Sequence, residues 1–173
     1  MVEYRDLIDG STYPLTEPRW CSDAGRPLWI DSGSSLGRDE IDSSMRSLWR
    51  YRAALPLEVP TPISLGEGMT PLVPAEWSGG ARPLWKLEWF SPTGSFKDRG
   101  SSVMLSHLRD RGVTAVLEDS SGNGGSSVAA YGAAGGLDVT IFAPASTSPA
   151  KIAQVRAYGA RGELVGGPRG EAQ

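Results

Sequence analysis

The chain has 173 residues, a net charge of −3, 39% hydrophobic and 21% charged residues, and one cysteine, Cys21. That is enough for one domain with a real core, and the charge argues against a nucleic-acid partner, the Arg46, Arg50 and Arg52 cluster reading as a solvated helical face. No apolar run approaches the ~18 residues of a membrane span, Met1-Val2-Glu3-Tyr4-Arg5-Asp6 lacks a signal peptide's apolar stretch, and a lone cysteine excludes an internal disulfide, so the expected address is cytoplasmic.

Residues 1–38 are rich in Gly, Pro, Ser and Trp without a sustained period and read as an irregular arm. Residues 39–173 read as one α/β domain, incomplete at its C-terminus. Ile41, Met45, Leu48, Trp49 and Arg52 recur at helical spacing before Pro56 and predict an amphipathic helix. Proline punctuates residues 56–74 so densely that only short extended pieces fit. A strand is expected at 84–88, a helix at 95–111 stopped by Gly112, and a buried strand at 113–117. A small-residue helix follows at 126–134, then a strand at 139–143, a helix at 149–158 with Pro149 in its first turn, and a strand at 161–165. This alternation implies right-handed crossovers and an open parallel sheet with helices on both faces. Gly166 to Gln173 reads as a loop leading into a further helix.

Lysine is scarce: 14 Arg stand against Lys86, Lys97 and Lys151. A lysine can act as a free amine and an arginine cannot, and Lys97 opens a predicted helix, a position that suits an amine nucleophile. On spacing alone, a helix-start lysine facing water is the more ordinary reading. Ligands bind open parallel sheets beyond the carboxyl ends of the strands. The Lys97 turn and the Ser120–Gly125 turn each follow a predicted strand and open a helix, so both are expected on that edge. Gly122, Gly124 and Gly125 permit positive φ and close backbone approach, and the N–H groups opening the next helix form an anion site, although glycine turns also open many helices for steric reasons. Gly122-x-Gly124-x-x-Ser127 falls one residue short of the dinucleotide fingerprint. With its third glycine missing and the next strand ending in Ala143-Pro144 rather than an acid, an oxidoreductase reading ranks low. Trp20 to Leu28 looks like a ribbon-type C-x-x-C-G turn, but Ala24 stands where the second cysteine belongs; a structural zinc needs four ligands, so no metal is expected. His107 has no orienting neighbour in sequence and reads as structural.

Ser91-Pro92-Thr93-Gly94-Ser95-Phe96-Lys97-Asp98-Arg99-Gly100 resembles the pyridoxal-phosphate lysine motif of threonine synthases, within the tryptophan-synthase β-like (fold type II) enzymes. Glu67-Gly68-Met69-Thr70-Pro71-Leu72, Leu84 to Glu88, Ser120-Ser121-Gly122-Asn123-Gly124-Gly125, Phe142-Ala143-Pro144, Lys151-Ile152-Ala153-Gln154 and Tyr158-Gly159-Ala160 are similar to the family's other segments and follow its order. The departures are Ser91, where Asn is commoner, and a chain that stops near the middle of the family's usual length. The resemblance implies that Lys97 condenses with pyridoxal 5'-phosphate, that Phe96 and Asn123 also contact the cofactor, with Asn123 bonding its 3′-oxygen, and that Ser120, Ser121, Gly122, Asn123 and Gly124 grip a substrate carboxylate. Asp98 and Arg99 belong to the motif without a catalytic role. The implied reaction converts O-phosphohomoserine and water to threonine and phosphate in a homodimer acting on a small amino acid. A serine/threonine dehydratase or another β-replacement enzyme is the nearest alternative. In the family the phosphate-binding glycine loop and the partner of the pyridine nitrogen come from the later half; neither can be placed in residues 1–173, so a non-catalytic fragment or half of a split enzyme is the rival reading.

Overall fold

In the computed structural model, which describes residues 2–17, 19–30 and 35–167, strand–helix alternation begins only at residue 97. Before it the chain is cut into short pieces. The N-terminal arm is not wholly irregular: β1 (Glu3–Arg5) is flanked by β2 (Thr12–Pro14) and β3 (Trp29–Ile30), both antiparallel to it. Strands of two or three residues are too short to show a period of two, so the sequence gives no sign of them. Buried Asp6 holds this small sheet to the following turn, accepting from Arg26 Nε at 2.8 Å and from Ile8 N–H at 2.9 Å. Arg111 Nε donates to Leu15 O at 3.1 Å and ties the arm to the domain.

The amphipathic helix expected over Ile41–Arg52 does not form. A kinked 3-10 helix spans Leu48–Ala54, and the chain before it turns back on itself. The apolar residues point inward as their spacing suggests, and Leu48 and Trp49 are buried against Val59. Their backbone partners, however, are tertiary: Leu48 N–H donates to Glu67 O at 2.7 Å, and Asp42 N–H takes Arg50 O at 2.9 Å. The first uses an N–H that a continuous α-helix would pair four residues back, and the second joins residues that such a helix would hold about 12 Å apart.

After an antiparallel pair, β4 (Leu72–Pro74) with β5 (Leu84–Lys86), the chain enters α1 (Lys97–Asp110). Then come β6 (Ala115–Glu118), α2 (Asn123–Gly135), β7 (Asp138–Pro144), α3 (Pro149–Ala157) and β8 (Arg161–Val165). These last three strands form a parallel sheet in the order β6-β7-β8, and the expected strand at 161–165 matches β8 to the residue. The expected further helix beyond Gly166 lies, from residue 168 on, outside the described residues.

Helix α2 is sandwiched between α1 and the sheet, and its composition explains how. Ser126, Ser127, Ala129, Ala130 and Gly132 are all buried, and they let the helix lie close to β7. A Cβ at Gly132 would overlap Val139 Cγ2, and one at Gly125 would sit 2.9 Å from Ile141 Cγ2. The core therefore joins Leu105 of α1, Val128 and Tyr131 of α2, Val139 and Ile141 of β7 and Val155 of α3. Beside Leu105, much of the buried face of α1 is serine. Ser106 Oγ accepts from Ile63 N–H at 2.7 Å, and Ser102 Oγ donates to Ile63 O at 2.6 Å, so hydroxyls one turn apart satisfy a loop that has no strand to pair with.

A monotonic strand order with crossovers of one hand places successive helices on one face. Among the described residues α2 and α3 do share the face that carries Val139 and Ile141, and they touch each other. Helical cover is thus present on one face of the sheet. On the other, Leu117 is 65% exposed; the strand expected to be buried at 113–117 is an edge strand, open on that side.

Candidate active site

Helices α2 and α3 both start from the carboxyl end of the parallel sheet, and side-chain hydrogen bonds draw the start of α1 to the same place. The strand before the lysine turn, β5, belongs to the separate hairpin and not to the parallel sheet, so sheet topology is not what places Lys97. Asp98 does that work. Its buried carboxylate accepts Thr93 N–H at 2.8 Å, the Thr93 hydroxyl, and Ser127 Oγ at 2.7 Å, which fastens the lysine turn to the second turn of α2. Three donors on one carboxylate offset its desolvation. Gln154 of α3 adds a second fastening, donating to Thr93 O at 3.2 Å and accepting from Ser126 Oγ at 3.0 Å.

Arg99 faces the other way. It grips Glu88 through Nε at 2.8 Å and one terminal nitrogen at 2.9 Å, and reaches Gly68 O at 3.3 Å. That fork, with the Thr70 hydroxyl at 2.7 Å, holds the Glu88 carboxyl down to about 2 against the opposing effect of burial. The E-G-x-T-P-L segment and the 3-10 turn at Glu88–Phe90 are thereby locked beneath the lysine turn.

Lys97 itself is exposed, with Nζ 4.8 Å from the centroid of the Phe96 ring, and Phe96 is exposed beside it. Glu118, the last residue of β6, ends beside the glycine turn. The Lys97 charge acts on its carboxyl, and its Oε1 lies 3.2 Å from where a Cβ on Gly124 would stand. Ser120 Oγ accepts from Gly122 N–H at 3.4 Å, and Ser121 sits half-buried between them. None of Gly122, Gly124 and Gly125 has positive φ; the turn needs glycine at 124 and 125 for proximity instead, because Cβ atoms there would stand 2.8 Å from Ser120 Oγ and 2.8 Å from Ser120 O. The positive φ lies at Gly94, at 84°, where the lysine turn closes through Gly94 N–H to Ser91 O at 2.8 Å.

Asn123 is exposed at the first position of α2, and its Oδ1 accepts from Lys151 Nζ at 2.5 Å. Lys151, Gln154 and Glu118 are site-rim residues to which sequence analysis gives no role, although Lys151 and Gln154 lie in a segment that it singles out. The usable signal is the i, i+3 spacing of Lys151 and Gln154, which puts both on one face of α3. His107 is buried in the last turn of α1, far along the helix from Lys97, and burial, followed by the Arg111 charge, pushes its pKa down. Among the described residues no helix is long and apolar enough to cross a membrane, and no three His, Cys, Asp or Glu side chains cluster as metal ligands.

Burial, then the neighbouring Asp119, raises the pKa of Glu118, with Lys97 opposing. A carboxyl raised on folding gives stability that is complete below its unfolded pKa and is lost as pH rises through the folded one. Glu118→Gln is therefore expected to raise the melting temperature by ~2–4 °C at pH ~7 and to leave it unchanged at pH ~3, as thermal scans at the two pH values would show. An equal rise at both would mean that packing, not charge, is responsible.

The turn that carries Lys97 is thus bonded through Asp98 to the helix that opens at Asn123 behind the glycine turn. The chain belongs to the pyridoxal-phosphate dependent enzyme family, whose model matches residues 63–173. Within it, the chain is 34% identical over 135 residues to a threonine synthase from Methanosarcina acetivorans, covering 75% of this chain and 33% of that protein. It is 33% identical over 163 residues to a threonine synthase from Methanocaldococcus jannaschii, covering 88% and 40%. Among solved structures it is similar to threonine deaminase isoform 2 from Solanum lycopersicum, with a TM-score of 0.55, 34% identity, and 60% of this chain and 30% of that one covered. It is also similar to a hydrogen sulfide-producing enzyme from Fusobacterium nucleatum, with a TM-score of 0.56, 30% identity, and 60% and 36% covered. The chain thus spans 33% to 40% of these threonine synthases. The amine of Lys97 and the amide of Asn123 are groups whose chemistry fits an aldehyde and an anionic ring oxygen, the two such features of the family's cofactor.

Proposed function

We propose that the protein acts on an amino acid with pyridoxal phosphate bonded to Lys97, and that its reaction is that of threonine synthase: O-phosphohomoserine and water give threonine and phosphate. The cofactor supplies an electron sink for charge developing at the substrate Cα. Lys97, the one lysine on the turn that Asp98 ties to α2, would hold the cofactor through its amine, and that amine would move protons at the substrate carbon atoms. Asn123 would donate to the ring oxygen, and Phe96 would lie against the cofactor. Ser120, Ser121, Gly122 and Gly124 present hydroxyl and N–H groups to the substrate carboxylate at the start of α2, where the helix dipole favours an anion. In this reading the complete protein is a cytoplasmic homodimer.

The observation that carries the proposal is the double fastening of the lysine turn to the asparagine helix by Asp98 and Gln154. Borohydride reduction with pyridoxal phosphate present, followed by peptide mapping, is expected to find the pyridoxyl group on Lys97; a label on Lys86 or Lys151 would overturn it. A dehydratase is the second reading, favoured by the likeness to threonine deaminase. Assays on phosphohomoserine, threonine and serine separate the two. A third reading, that this chain alone is a non-catalytic part, is favoured by the open sheet face around Leu117; turnover by the 173-residue chain itself would dismiss it.

A further inference from the structure

Lys151 stands in the first turn of α3, half-buried, with its ammonium 2.5 Å from Asn123 Oδ1. Among the described residues no carboxylate pairs with it, and its contact is with a neutral amide at the positive end of a 13-residue helix. An amide can rotate by half a turn and exchange acceptor for donors at little cost in shape, which would aim the wrong atom at a ligand. An ammonium has only donors. Facing one, the Asn123 side chain must turn Oδ1 towards Lys151 and Nδ2 away from it. The helix carrying Lys151 is itself anchored, because Ile152 and Val155 are buried and Gln154 holds both Thr93 O and Ser126 Oγ.

We infer that Lys151 is a positioning residue: it fixes the Asn123 amide so that Nδ2 donates to the anionic ring oxygen of bound pyridoxal phosphate. This rests on the proposed roles of Lys97 and Asn123. The Lys151 charge also polarises the amide, strengthening Nδ2 as a donor and stabilising the ring oxygen as an anion.

The test uses the full-length gene product and two readouts without substrate: pyridoxal phosphate affinity and the pH midpoint of the bound cofactor's absorbance change. Lys151→Met is expected to weaken affinity about fivefold to tenfold, the scale of one hydrogen bond, and to move the midpoint upward, because a ring oxygen less well stabilised as an anion keeps its shared proton longer. Lys151→Arg, which keeps donors and charge, is expected to recover most of both. In an Asn123→Ala background Lys151→Met is expected to change affinity less than twofold, since the residue it positions is gone. Equal losses in both backgrounds, or no shift in Lys151→Met, would overturn the inference while leaving the Lys97 assignment standing. A wild-type label on another lysine would overturn both.

Discussion

Lys97→Arg is expected to abolish covalent capture of pyridoxal phosphate while leaving the protein as stable as before. The side chain is exposed, and its recorded partner is the Phe96 ring, over which a guanidinium sits as well as an ammonium. The change in stability should stay within ~0.5 kcal/mol, as for other exposed substitutions. Chemistry is another matter, since a guanidinium keeps its proton at any working pH and offers no lone pair to an aldehyde. Reductive labelling should fall to background, and turnover should drop by at least about a thousandfold, on the scale of losing a covalent catalyst. Mass spectrometry after borohydride reduction, with a melting curve on the same sample, reads both quantities. Retained labelling would show that another amine holds the cofactor.

Glu67→Ala is expected to do the reverse, lowering stability by about 3–5 kcal/mol without touching the rim of the site. Glu67 is fully buried, and its carboxylate accepts from Leu65 N–H at 3.0 Å, Ser102 Oγ at 2.9 Å, Tyr131 Oη at 2.7 Å and the Ser64 hydroxyl at 3.1 Å. Ser102 shares its one proton between Glu67 and Ile63 O while accepting from Trp49 Nε1 at 2.8 Å, so a single carboxylate organises both hydrophobic clusters. Burial, followed by the Glu67 hydrogen bond, drives the Tyr131 hydroxyl pKa far up and keeps it a donor. Truncation strands these donors and leaves a cavity. Against a typical domain stability of ~5–15 kcal/mol the loss is severe. Urea titration would measure it, and a loss below ~1 kcal/mol would show that water or a shifted hydroxyl replaces the carboxylate.

The sequence makes legible what is chemically local. Pro149 and Gly159 bracket α3, and the decamer around Lys97 declares its amine. What escapes is whatever depends on distant partners. The spacing of Ile41 to Arg52 is helical, yet the loop at Glu67 takes the Leu48 N–H, and the bond from Asp42 to Arg50 folds the chain back on itself. The buried face of α1 is hidden in the same way, because Ser102 and Ser106 look polar until Ile63 lies against them. At the site, the turn and its lysine are readable, but the residues that bring them together are not. Asp98 resembles ordinary compensation of a helix dipole, and Lys151 resembles a surface charge; only the folded chain sets one against Ser127 and the other against Asn123.

The tight seat of α2 on β7 limits how this protein can diverge. A methyl added at Gly132 meets the Val139 side chain, so the helix can gain volume there only where the strand gives it up, whereas one added at Gly125 also meets the Ser120 carbonyl, which no side-chain change removes. Viable variants should therefore change in compensating pairs, a larger residue on the helix matched by a smaller one on the strand. Single enlargements there would tilt the helix and carry the asparagine out of reach.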